Sequence, residues 1–194
     1  MGTYSPTPFL TDVQLADTAR QVLESFMRGC VAEGIDYRGI LYPGVMLTKA
    51  GPRILEFNAR FGDPETQVYL TRLENDLVEL LDASASGTLG KLELKWSPLA
   101  SVCVVMASGG YPGNYPKGKV ISGLDAANKL PHTKIFHAGT ALKDGQVVTS
   151  GGRVLGVTAL GKDLKTAQAA AYAAVDKIGF DGAHFRRDIA AKAF

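Results

Sequence analysis

Cysteine, histidine and tryptophan are all scarce in this chain of 194 residues: it has two, three and one of them. Cys30 and Cys103 each sit in an apolar run, with no C-x-x-C spacing and no histidine nearby. That excludes a zinc ribbon or a disulfide-framed scaffold and reads as two buried thiols in a reducing compartment. Long apolar runs are missing too, and no stretch reaches the length of a membrane-spanning helix. The opening MGTYSPTPFL has no basic region ahead of a hydrophobic one, so it does not read as a signal peptide. Pro6 stands where a myristoylation start needs serine or threonine. Charge of one sign is not in excess: the net charge is +2 and the basic residues are scattered, which argues against a nucleic-acid or membrane partner. A cytoplasmic location is the expectation. What remains, 46% hydrophobic and 21% charged, is the composition of a globular protein with a real core, long enough for one ordinary domain or two small ones.

Periodicity supplies the elements. Leu15, Ala19, Val22, Leu23, Phe26 and Cys30 form a helical stripe that Thr11 or Asp12 can cap and Gly34 can end. Residues 1–10 read as an extended loop. RGILYPGVMLTK and RILEFN read as two strands of a hairpin across residues 38–59, bulged at Pro43-Gly44. NDLVELLDASASG reads as a short helix closed by Gly87. After a connection at TLGKLELKWSP the chain becomes strand-rich: ASVCVVMASGG and RVLGVTALG are buried strands. ALKDGQVVTS folds back at Asp144-Gly145. DLKTAQAAAYAAVDKI is a helix with Leu164, Ala167, Ala171, Ala174 and Ile178 on one face. The shift predicts an α/β protein of the α+β type, with a boundary near residue 90 between domains at 1–90 and 91–194.

Residues 53–65, RILEFNARFGDPE, carry the chemistry. Strand alternation puts Ile54, Glu56 and Asn58 on one face and Leu55, Phe57 and Ala59 on the other, packing on the core. Glu56 and Asn58 then offer oxygens about 7 Å apart along the strand, a hard-ligand pair suited to Mg²⁺ that also holds phosphates. An isolated E-x-N is more often a solvated strand face. Arg60 would add a positive charge beside the metal, where a transferring phosphoryl group develops negative charge. Asp63 and Glu65 follow in a Gly-Pro loop, a usual place for substrate groups.

GVMLTKAGPRILEFNARFGDPETQ, residues 44–67, resembles the metal-binding hairpin of the ATP-grasp ligases and, within them, of the phosphoribosylamine–glycine ligase family. VVMASGGYPGNYPKG, FHAGTAL, VVTSGGRVLGVTALG and FRRDI extend the likeness over essentially the whole chain. The resemblance implies the second half of an ATP-grasp domain followed by a strand-rich C-terminal domain. It implies a ligase of purine biosynthesis that joins glycine to 5-phosphoribosylamine at the expense of ATP. Glu56 and Asn58 match the ligands of Mg²⁺ (or Mn²⁺), and Arg60 matches the catalytic arginine on the phosphate side. The strand before them departs from the pattern of many ATP-grasp enzymes, since no acidic residue lies between Arg38 and Lys49 and Tyr42 is the nearest candidate. Members of the family are longer, and their glycine-rich phosphate loop has no counterpart here. ASGGYPG and TSGGRVLG match neither a P-loop nor a dinucleotide fingerprint and read as turns. The expectation is a chain that is inactive alone and that meets the missing N-terminal half or itself through exposed apolar surface.

Two further residues are candidates for substrate contact. His137 ends a strand, either donating to a neighbouring carbonyl or, by the resemblance, near the ribosylamine side. Arg153 follows Gly151-Gly152, whose lack of side chains would let a ligand approach the backbone. It is either a ligand for the substrate phosphate or a surface arginine. The alternative to a ligase part is a non-catalytic fragment or degenerate paralogue acting as a partner-binding module.

Overall fold

The computed structural model describes residues 1–194. In chain order its first half contains β1 (Gly2–Ser5), α1 (Asp12–Ala32), β2 (Tyr42–Thr48), β3 (Gly51–Asn58), α2 (Glu65–Arg72) and α3 (Leu77–Ser86). The second half contains β4 (Ala100–Ser108), α4 (Leu124–Asn128), β5 (Thr133–His137), β6 (Thr140–Lys143), β7 (Gln146–Thr149), β8 (Arg153–Gly161), α5 (Leu164–Val175) and β9 (Ala183–His184). Helices and antiparallel sheets in one chain are the expected α+β mixture.

These elements form two compact units whose segments interleave. The sheet unit comprises Met1–Pro6, Asp63–Leu73 and Ser97–Phe194. The hairpin unit comprises Thr7–Gly62 and Glu74–Trp96. The sheet unit is built on a five-stranded antiparallel sheet in the order β1-β4-β8-β5, with β9 also pairing β4. All nine residues of β4 are buried, as its unbroken apolar run predicts. Val102, Val104 and Met106 of β4, with Leu155 and Val157 of β8, meet the alanine face of α5 at Ala167, Ala171 and Ala174. Each fully buried valine or leucine there contributes about 1.5–3 kcal/mol. On the other side of β4 lies α2, whose Val68 is buried and whose Thr71 hydroxyl is 2.8 Å from that of Ser101. Asp163 caps α5 by accepting from the Thr166 amide at 2.7 Å. The β6–β7 turn falls on Asp144 and Gly145, both at positive φ (50° and 76°), the left-handed pair that a two-residue hairpin needs.

In the hairpin unit, Thr11 caps α1 in a reciprocal box with Gln14. Asp76 caps α3 by accepting from the amides of Val78 and Glu79, and left-handed Gly87 closes it. The β2–β3 hairpin forms, with its bulge one step beyond Pro43-Gly44. Only Val22, Cys30, Leu80 and Ala83 are buried apolar residues in this unit.

Three expectations are corrected. Residues 2–5 are an edge strand rather than loop, paired from Gly2↔Val104 to Ser5↔Ser101. Glu65 does not lie in a loop but in the first turn of α2, an element that periodicity did not reveal. Leu55 and Phe57 are not core residues: Leu55 is 65% exposed and Phe57 47%. The cause is the bulge, in which Gly44 pairs Glu56 while Val45 pairs Ile54, so Leu55 is the extra residue and the alternation slips by one. Ile54 and Phe57 therefore turn together toward Val22 and Phe26 of α1, around a cavity of about 380 Å³.

Cys103, fully buried on β4, has its thiol pushed up to about 12 by burial. A raised folded-state value means that the stability this group contributes is complete below the unfolded-state value, about pH 8.5, and is lost as pH climbs toward 12. Between those limits the loss approaches about 1.4 kcal/mol per pH unit. Urea midpoints taken at about pH 8 and about pH 10.5 should fall further for the native chain than for Cys103→Ala. Equal falls would contradict the assignment.

Candidate functional site

On β3, Glu56 and Asn58 point to the same side. The Asn58 amide donates to Glu56 Oε1 at 3.0 Å, which leaves Glu56 Oε2 and the Asn58 carbonyl oxygen as acceptors. Gly44, the register partner of Glu56, makes room for this arrangement: a Cβ there would stand 3.2 Å from Glu56 Cγ. The signal for Gly44 was its pairing across the bulge, which no local pattern announces. Two oxygen donors fit a small divalent cation that keeps waters and phosphate oxygens in its shell. Nowhere do three or more histidine, cysteine, aspartate or glutamate side chains converge into a closed cage. Arg60 does not pair with Glu56; its Nη1 donates to the Phe61 carbonyl at 3.1 Å.

In the sheet unit the structure brings Asp63 and Arg153 together. Arg153 Nη1 donates to the Asp63 carbonyl oxygen at 2.9 Å, and Nη2 lies 3.2 Å from Asp63 Oδ2. Gln67, which the sequence reading passed over, donates from Nε2 to Asp63 Oδ1 at 3.0 Å. It sits four residues after Asp63, the spacing of one helical turn, but that spacing carried no signal while the segment read as a loop. Glu65 makes no ion pair. His137 stands apart, with Nδ1 3.1 Å from the Thr140 hydroxyl.

The glycines beside Arg153 do not leave a gap for a ligand. A Cβ on Gly152 would stand 2.1 Å from the Tyr111 ring, and one on Gly139 would stand 2.6 Å from both the Arg153 carbonyl and Gly151 Cα. Protein fills that space. Ser108 fixes the loop by donating to the Gly151 carbonyl at 2.9 Å.

Two family models match this chain: the phosphoribosylglycinamide synthetase ATP-grasp (A) domain over residues 1–66 and the C domain over residues 101–192. A phosphoribosylamine–glycine ligase of Caldanaerobacter subterraneus is 47% identical over 191 residues, covering 98% of this chain. That of Pseudomonas aeruginosa is 50% identical over 194 residues, covering 100% of it. The chain belongs to the phosphoribosylamine–glycine ligase family. It spans about 45% of the length of these curated relatives. The crystal structure of the Thermotoga maritima ligase superposes with a TM-score of 0.83 at 37% identity, over 97% of this chain and 46% of that one. The N5-carboxyaminoimidazole ribonucleotide synthetase of the same organism, at 17% identity and a TM-score of 0.60, shares the fold. ATP-grasp ligases act on ATP with a divalent metal ion.

Gly44→Val should push Glu56 away from Asn58 and weaken Mn²⁺ binding, followed by electron paramagnetic resonance, by about tenfold. An unchanged Mn²⁺ affinity would contradict the metal role of the hairpin.

Proposed function

We propose that this chain supplies the metal-bearing hairpin and the substrate-phosphate side of a phosphoribosylamine–glycine ligase. Residues 1–90 would belong to the ATP-grasp domain and 91–194 to the C-terminal domain. In the reaction, glycine's carboxylate takes the γ-phosphoryl group of ATP, and the amine of 5-phosphoribosylamine displaces phosphate from the resulting acyl phosphate. Glycinamide ribonucleotide, ADP and phosphate result. The observation that carries the reading is the Glu56–Asn58 pair on the hairpin of a chain in this family.

Glu56 and Asn58 would hold Mg²⁺ (or Mn²⁺). When bound, that ion neutralises charge on the phosphate oxygens. Arg60, free to leave the Phe61 carbonyl, would bring its guanidinium to the transferring phosphoryl group. Asp63, Glu65, His137 and Arg153 would serve the ribosylamine substrate. A cytoplasmic setting, with both cysteines reduced, belongs to the same proposal.

The partner-binding reading has its own support. Apart from Met1, Val120, Leu142 and Phe194, every exposed large hydrophobic residue lies in the hairpin unit. Val13, Met27 and Val31 line the outer side of α1, 72%, 45% and 77% exposed. A second groove of about 530 Å³ between α1 and the hairpin is lined by residues including Leu15, Leu23, Leu41 and Leu47. Apolar surface of this extent drives association. Its occupant would be polypeptide equivalent to the rest of the relatives' length, continuous with this chain or separate, or else a second copy.

One assay tests both. ADP release is measured with glycine, phosphoribosylamine and Mg-ATP, for the 194-residue chain alone and mixed with the complementary segment of a relative. Glycine-dependent release is expected only on mixing, and Glu56→Gln should lower it about a hundredfold without preventing association. Robust release by the chain alone would overturn the need for a partner. Association without release would leave the partner-binding module and overturn the ligase reading.

A further inference from the structure

Arginine carries five N–H donors in a flat fork. In Arg153 the end of the fork bearing Nη1 and Nη2 is taken up by Asp63, and Nη1 also approaches Met1 Sδ at 3.5 Å. Nε has no partner. The edge shared by Nε and Nη2 is the other bidentate face of the guanidinium, suited to two oxygens of a phosphate or carboxylate. The side chain is 33% exposed, so that edge is reachable yet only partly solvated.

The direction of the fork depends on Asp63, and Asp63 depends on Gln67. With Arg153 and Gln67 in place, both carboxylate oxygens and the backbone carbonyl of Asp63 are occupied. Gln67 lies over Gly156 of β8: a Cβ there would meet Cys103 Sγ at 3.3 Å and would touch Gln67 Cγ only at an ordinary contact distance of 3.4 Å. Gln67 Oε1 is buried without a hydrogen-bond partner. In this orientation the Nε2 donor goes to Asp63.

We infer that Gln67 is a positioning residue: through Asp63 it orients Arg153 so that the free Nε–Nη2 edge receives the oxygens of a phosphate monoester. The inference rests on the phosphate-side role proposed for Arg153. All of the groups lie within the sheet unit.

The test uses the 194-residue chain, isotope-labelled, with the Arg153 Nε–H resonance as reporter and the amides of α5, on the opposite face of the sheet, as fold control. Ribose 5-phosphate and inorganic phosphate are titrated separately. Ribose 5-phosphate should shift the reporter in the native chain. Gln67→Met, which keeps the shape and loses the donor, should weaken that response about tenfold with the α5 amides unmoved. Equal affinity in the native chain and Gln67→Met overturns the positioning role and leaves Arg153's role standing. A native reporter unmoved by the ester, or moved only by inorganic phosphate, overturns the phosphate-ester role of Arg153 and the inference with it, while the metal hairpin is untouched.

Discussion

The antiparallel pairing of β4 with β8 is the constraint from which the rest of the sheet unit follows. Every residue of β4 is buried, so its backbone polar groups find no water and must be bonded within the sheet. Both faces then need an apolar cover. The α5 alanines cover one face and α2 the other. Placing α2 there fixes Asp63 just ahead of it, within reach of Arg153, the first residue of β8. The bulge at Met106/Ala107 brings Arg153 opposite Ala107, and Ser108 ties down the loop before Arg153. The Asp63–Arg153–Gln67 cluster is therefore a product of sheet geometry.

The sequence was readable where the deciding interactions are local. The Thr11 cap, the Asp144-Gly145 turn and the alanine stripe of α5 each lie within a few residues of the structure they determine, and each is found as expected. The unbroken run in β4 was readable because burial on both faces removes any need for alternation. The failures share a different cause. β1 forms because Gly2–Ser5 pairs with a strand about a hundred residues away, which a tetrapeptide with prolines behind it cannot announce. α2 is two turns long and buries only Val68, too little for a period to emerge. The bulge at Leu55 moved Ile54 to the other face because a one-residue slip reverses every side chain beyond it.

The candidate site was legible to the same degree. Glu56 and Asn58 share a face because both lie beyond the bulge on one uninterrupted stretch of strand. Gly44 was read only as part of a bulge and Gln67 not at all, because each acts through a partner brought to it by folding. The glycines at 151 and 152 were misread: they admit Tyr111 and a neighbouring backbone rather than a ligand.

The two units differ in kind. The sheet unit closes around a continuous core, whereas the hairpin unit, which carries Glu56 and Asn58, buries four apolar residues and turns most of the others outward. A unit that fully buries so few apolar side chains has little to set against conformational entropy, about 1–2 kcal/mol per backbone residue. The hairpin unit is therefore proposed to take apolar cover from outside itself. Native-state hydrogen exchange on the isolated chain, resolved by residue, tests this most directly. Slow exchange, set by global unfolding, is expected for β4, β8 and α5, and exchange faster by orders of magnitude for α1, β2 and β3. Uniformly slow exchange across both units would contradict it.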